Sequence, residues 1–469
     1  MALASRHFLA LLFVCLFFLA GNCFAACHVV TPGGSGSRSG ADWNNAMANL
    51  PATLTRGDSY YLGPGNYGNF SHGEGTNGGL LITVKRAFQA DHCTDVGYSD
   101  ATLGRSAGQA VFTRIETLTG YWLIDGNYPG ARPANITDTG IYVDGTKCTS
   151  SSCWTMSLGQ SANTSNITIR NLSVQGGGDA KQSSNVDSNI RIIGGSNFLI
   201  QFVEIFNSSN TPIMLRTVSN FTLDHSLVNH NATNAVYHGE GISDGGSDNV
   251  TISFNTFKDI QGTGAIVNLN AGTPSTASNW DIYGNLFFYP PGNPSARSGF
   301  GNGLIACINN QTATNWNFYN NTIAGMVGIS TRLFFNTSSG DCSNPTGIVA
   351  YNNLWYDSSQ ADHSGPVTQD YNTYIQMTNV TDSGSHTINA PSGSDPFTSA
   401  VTDNYHLKSD TNVSPISLTN LASFATSLVL GDDVDPDGVR RTTSRGAYQL
   451  ASSSSASLSP PVLNQPVVQ

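Results

Sequence analysis

The stretch Ser219–Ile266, SNFTLDHSLVNHNATNAVYHGEGISDGGSDNVTISFNTFKDIQGTGAI, states one pattern twice. Asn220 is followed by Phe221, Leu223, Ser226 and Val228, and Asn249 by Val250, Ile252, Asn255 and Phe257. Apolar residues two apart share one face of a strand. The jump to the sixth residue is a tight corner, after which a second short strand begins. Between the two copies lies a polar excursion that carries His230, His238, Glu240 and Asp244.

The pattern extends in both directions. It begins at Asn166 and Asn197 and continues at Asn279 and Asn315, with Gly347 in place of the last Asn. The starts lie 31, 23, 29, 30, 36 and 32 residues apart. A repeat of this size cannot bury its apolar face alone, but stacked copies bury a continuous core at ~4.8 Å per step. That predicts an all-β chain, a right-handed parallel β-helix of about ten rungs. The sixth position is Asn at 255, 285, 321 and 353. An inward Asn there satisfies corner amides that would otherwise be buried unpaired. The leading Asn reads as an ordinary turn former.

The flanks divide the chain. Residues 1–25 read as a signal peptide, because Arg6 and His7 precede an apolar run from Phe8 to Ala20 that is too short to span a bilayer. A lipid anchor on Cys27 is the alternative. Residues 26–56 are expected to form an N-terminal cap with a small helix over Trp43–Leu50, and 57–375 the β-helix. Residues 376–450 are expected to close the C-terminal end irregularly, and the Ser-rich 451–469 to be a disordered tail. Six cysteines follow the signal, and their order favours Cys27–Cys93, Cys148–Cys153 and Cys307–Cys342.

Two runs carry a resemblance. Gly57-Asp58 to Tyr67 resembles a first rung, and Asp435-Pro436-Asp437-Gly438 to Tyr448 a closing segment, of right-handed β-helix proteins of the pectate-lyase-like superfamily. The resemblance implies the fold over Cys27–Gln449. It implies no one activity, since lyases, hydrolases, epimerases and non-catalytic proteins share that fold.

Only 11% of residues are charged and the net charge is −11, with Lys and Arg scattered. Nucleic acid and anionic membranes are therefore excluded as partners. A polysaccharide is the expected partner of a monomeric protein exported to the periplasm or beyond the cell. Aligned on the leading Asn, Ile190, Ile213 and Ile242 form an inward column, which turns Arg191 and Arg216 outward. Strict alternation turns Glu240 and Asp244 inward. The neighbouring glycines at 239, 241, 245 and 246 allow a bend that would bring both to the strand ends.

The chemistry that wants this set is β-elimination from an acidic, uronate-containing glycan. A cation must neutralise the carboxylate, and a base must take the neighbouring proton. The expected catalytic set is His238, Glu240, Arg216 and Asp244. Arg191, Tyr237, His230 and Asn268 are expected to contact substrate. A polysaccharide lyase is thus the leading expectation. A glycoside hydrolase, which needs paired carboxylates, and a non-catalytic glycan binder or adhesin are the rivals. No cofactor is firmly implied. Asp433, Asp435 and Asp437 match the start of a calcium loop whose twelfth position is Ser444 instead of Glu.

Overall fold

The computed structural model describes residues 25–127, 139–147, 154–159, 164–178, 188–231, 239–262, 264–268, 275–290, 303–327, 333, 342–359, 361, 363, 366–377, 379–408, 435–437 and 445–448. Each repeat folds into up to three short strands. One full turn runs through Ser196–Gln201, Glu204–Ser208 and Thr211–Arg216, and the next through Ser219–Asp224, Leu227–Asn231 and Ile242–Gly245. Each strand pairs in parallel with its counterpart one turn later: Phe198 opposes Phe221, Ile205 opposes Val228, and Ile213 opposes Ile242. Three parallel sheets therefore run the length of the stack. The chain is a right-handed parallel β-helix.

The repeat pattern explains the geometry. The leading Asn residues at 166, 197, 220, 249, 279 and 315 all have φ between 54° and 61°, and Gly347 has 66°. Asn and Gly tolerate this left-handed conformation with least cost, so the substitution at Gly347 is conservative in backbone terms. The corner five residues later is left-handed too, at Asn171, Phe202, His225, Phe254, Gly284, Asn320 and Asn352. Two such kinks per repeat turn an extended chain through the edges of a prism.

Inside, like stacks on like. Trp280 lies on Trp316 at 4.3 Å, and Phe257 on Phe287 at 4.8 Å, with all four rings at most 1% exposed. The expected Asn column is present and longer than the sequence suggested. Asn285 Oδ1 accepts the Asn255 N–H at 2.9 Å, Asn321 Oδ1 that of Asn285 at 2.9 Å, and Asn353 Oδ1 that of Asn321 at 2.9 Å. Asn372 continues the ladder above Asn353, and Ser226 ends it below.

The ends differ in detail from expectation. Trp43–Asn45 is a single 3-10 turn, and Met47–Ala48 is a strand paired with Val30–Thr31. Eight residues nucleate a helix poorly, and edge pairing satisfies the same amides. The first sheet already includes Cys27–Thr31, paired with Ser59–Leu62. Near the C-terminus, the antiparallel pair Phe397–Ser399 and Asn404–Leu407 lies against the flank of the second sheet. Leu286, Phe288, Leu354 and Ile375 point outward there, and Phe397, Tyr405, Leu407 and Tyr448 cover them. Disulfides join Cys27 to Cys93 and Cys307 to Cys342. Cys148, Cys153, residues 1–24 and residues 451–469 lie outside the described residues.

Candidate functional site

The third sheet presents the site. Ile190, Ile213, Ile242, Ile266 and Ile305 align in one inward column. The next residue in each strand therefore faces out, giving the column Ser157, Arg191, Met214 and Ser243. The Arg191 guanidinium lies over the Trp154 ring at 3.7 Å. Among the described residues no acceptor meets it, so its donors are unspent. Arg216 sits one rung on and two residues along. Its Nη1 donates to the carbonyls of Leu215 at 2.7 Å and Ser243 at 3.0 Å, and its Nη2 to Ser243 Oγ at 3.3 Å.

Arg114 completes a cationic group. It extends from strand Ala110–Thr117, two rungs before Arg191, and meets Glu116 at 3.0 Å. Glu116 in turn accepts from Ser71 Oγ at 3.0 Å. Partial burial pulls the Arg191 guanidinium below its ordinary value, and the like charges of Arg216 and Arg114 pull it further. Burial also lowers Arg216, against the opposing pull of Asp244 and Glu240. Glu116 offsets Arg114, and the remaining charge of Arg191 and Arg216 on one face favours an anion that would relieve it.

The expected residues divide sharply. Arg191 and Arg216 do face outward together. Asp244 does not join them: its side chain is fully buried, in the inward column of Leu215, Asn268 and Cys307. Its carboxylate accepts from the N–H groups of Gly246 at 2.9 Å and Ser247 at 3.2 Å, so it holds the corner. The glycines bend the chain after Asp244 and leave the side chain inside. Burial raises its pKa, opposed by Ser247, Gly246 and the Arg216 charge. Glu240 is also buried and accepts from Thr211 Oγ1 at 3.1 Å. Asn268 is fully buried and donates to the Thr312 carbonyl at 3.1 Å, which turns it from a substrate contact into a core amide.

His230 lies in the strand Leu227–Asn231 of the second sheet, with Nδ1 2.6 Å from Asp259 Oδ2, and so belongs to a neighbouring face. Tyr237 and His238 lie outside the described residues. So does Asp433. Asp435 Oδ1 accepts the Asp437 N–H at 3.0 Å, and Asp437 pairs with His406. Among the described residues no group of three or more His, Cys, Asp or Glu is placed to hold a metal.

Sequence reasoning missed Trp154 and Arg114. Trp154 is two residues before inward Met156, and Arg114 directly precedes inward Ile115. Both lie before the first recognisable repeat, so no alignment placed them beside Arg191.

No family model matches the chain, and no curated protein matches it. Among solved structures it is similar to pectate lyase Pel9A, at 13% identity over 92% of this chain and 98% of that one, with a TM-score of 0.43. It is also similar to the PL6 family alginate lyase AlyGC, at 13% identity over 72% and 51% with a TM-score of 0.32. The Yersinia enterocolitica family 28 exopolygalacturonase follows at 12% identity over 73% and 71%, with a TM-score of 0.36. The likeness is one of fold, and no residue role is taken from it.

Proposed function

We propose that this is an exported carbohydrate-active protein that holds an acidic polysaccharide along the outer face of the third sheet. The observation that carries the reading is Arg191, stacked on Trp154 with its donors unspent and flanked by Arg216 and Arg114. An aromatic plate under a guanidinium suits a uronate residue, whose ring has an apolar face and whose carboxylate takes paired N–H donors. The rungs repeat at ~4.8 Å, comparable with the length of one sugar residue, so a glycan lying along the axis meets successive cations.

The finer reading is a polysaccharide lyase. Arg191 and Arg216 neutralise the uronate carboxylate and so acidify the neighbouring C–H. A base then takes that proton and the glycosidic oxygen leaves, forming the unsaturated sugar. His238 is the proposed base. Glu240 and Asp244 stay out of the reacting set because both are buried. That burial favours one second reading, binding without cleavage.

A panel of polygalacturonate, alginate and glucuronan separates the two. The lyase reading expects ultraviolet absorbance of an unsaturated product with one polymer, abolished in His238→Ala. Arg191→Ala should weaken binding at least tenfold, and Arg191→Lys should restore only part of it. Binding without product would retire the lyase and leave the binder. Neither binding nor product with any of the three would end both readings.

A further inference from the structure

The outer face of the first sheet carries a second polar track. Its corner column is built of left-handed Asn residues; the amides toward either end bond along the stack, while Asn249 and Asn279 donate to Asp248 at 3.0 and 2.9 Å. Asn220 Nδ2 donates to Asn197 Oδ1 at 3.0 Å, and Asn315 Nδ2 to Asn279 Oδ1 at 3.2 Å. Each amide has a second N–H and a second lone pair, and these side chains are exposed. Two residues along the strands lies a further outward column, Thr222, Thr251, Asp281 and Asn317.

The two columns enclose a trough. One cavity of about 320 Å³ is lined by Asn220, Thr222, Asn249, Thr251, Asn279 and Asp281. A second of about 310 Å³ is lined by Asn279, Asp281, Asn315, Asn317 and Gly347. They share Asn279 and Asp281 and so form one channel parallel to the axis.

The charge is opposite to that of the arginine face. No Lys, Arg or His lines either cavity, and Asp281 is the charged group in both. Asp281 Oδ1 accepts from Asn317 Nδ2 at 2.8 Å, and among the described residues no other donor meets that carboxyl. An acidic glycan is repelled here. Amides and hydroxyls repeated at the rung spacing match the hydroxyl-bearing edges of an uncharged glycan.

We propose that this trough is a second glycan-binding site, selective for an uncharged polysaccharide lying along the helix axis. It stands apart from the acidic-glycan site on the third sheet. Affinity electrophoresis of the full chain in hydroxyethyl cellulose, dextran or galactomannan tests it, with polygalacturonate as the acidic control. Retardation is expected in at least one neutral polymer. Thr251→Trp, which fills the trough from an exposed strand face, should weaken that retardation at least tenfold, and Thr222→Trp should act likewise in the same cavity. Arg191→Ala should leave it unchanged. No retardation in any of the three neutral polymers overturns the proposal. So does retention in both Trp variants, or equal loss in Arg191→Ala. A Trp variant that instead abolishes self-association seen by light scattering overturns it in favour of a contact between copies.

Discussion

Asp244 holds a carboxylate with no exposed surface against the backbone of Gly246 and Ser247. Burial raises its folded pKa above the ~3.9 of an unfolded Asp. The sign follows from linkage. Below the unfolded value both states are protonated and the group's favourable contribution is complete. As pH rises toward the folded value, the unfolded chain ionises first and that contribution is lost. Asp244→Asn keeps an acceptor for the corner amides and cannot ionise. The melting temperature of the variant relative to wild type should therefore climb as the pH rises above about 4. A difference that stays flat as the pH rises would mean that Asp244 ionises freely in the fold. At this scale the sequence was half legible. Alternation alone turned Asp244 inward. The flanking glycines argued for release, and the hydrogen bonds to Gly246 and Ser247 decided against it.

The corners are the elements that shape the molecule, and two kinds of Asn build them. Asn285 is fully buried; it accepts from Asn255 and donates to the carbonyl of Ile252 at 2.8 Å and to Asn321 Oδ1 at 3.0 Å. Asn315 is exposed and serves mainly through its φ of 55°. Asn285→Ala should cost about 3 kcal/mol, since it leaves buried corner groups unpaired. Asn315→Ala should cost roughly 1–2 kcal/mol through left-handed strain, and Asn315→Gly no more than about 0.5 kcal/mol. Urea unfolding midpoints at constant slope check the order; equal losses at both sites would contradict it. The buried column was visible in the sequence because four copies kept register. The exposed column looks in the sequence like ordinary turn formers, because a left-handed φ leaves no mark on composition.

A solenoid is stabilised rung by rung, so its ends need separate restraint. The Cys27–Cys93 bridge ties the first strand across a separation of 66 residues. Chain-entropy arguments put such a link at ~4 kcal/mol. The double variant Cys27→Ser/Cys93→Ser should lose amide protection over Cys27–Leu62 while Thr346–Ile375 keeps it. Hydrogen exchange read by mass spectrometry would show this, and uniform loss along the chain would mean that the stack unfolds as one unit. Over the whole molecule the sequence by itself determined the fold: spaced apolar pairs, corner Asn and a repeat near thirty residues admit one stacking solution. It also determined which sides of Arg191 and Arg216 face outward, because parity along a strand is local information. The tertiary structure decided what stands beside them. Trp154 and Arg114 reach Arg191 only through pairing across rungs, and C-terminal residues cover the second sheet only because its outward side is apolar. Such neighbours are set by register between distant strands, which variable loops hide from any reading along the chain.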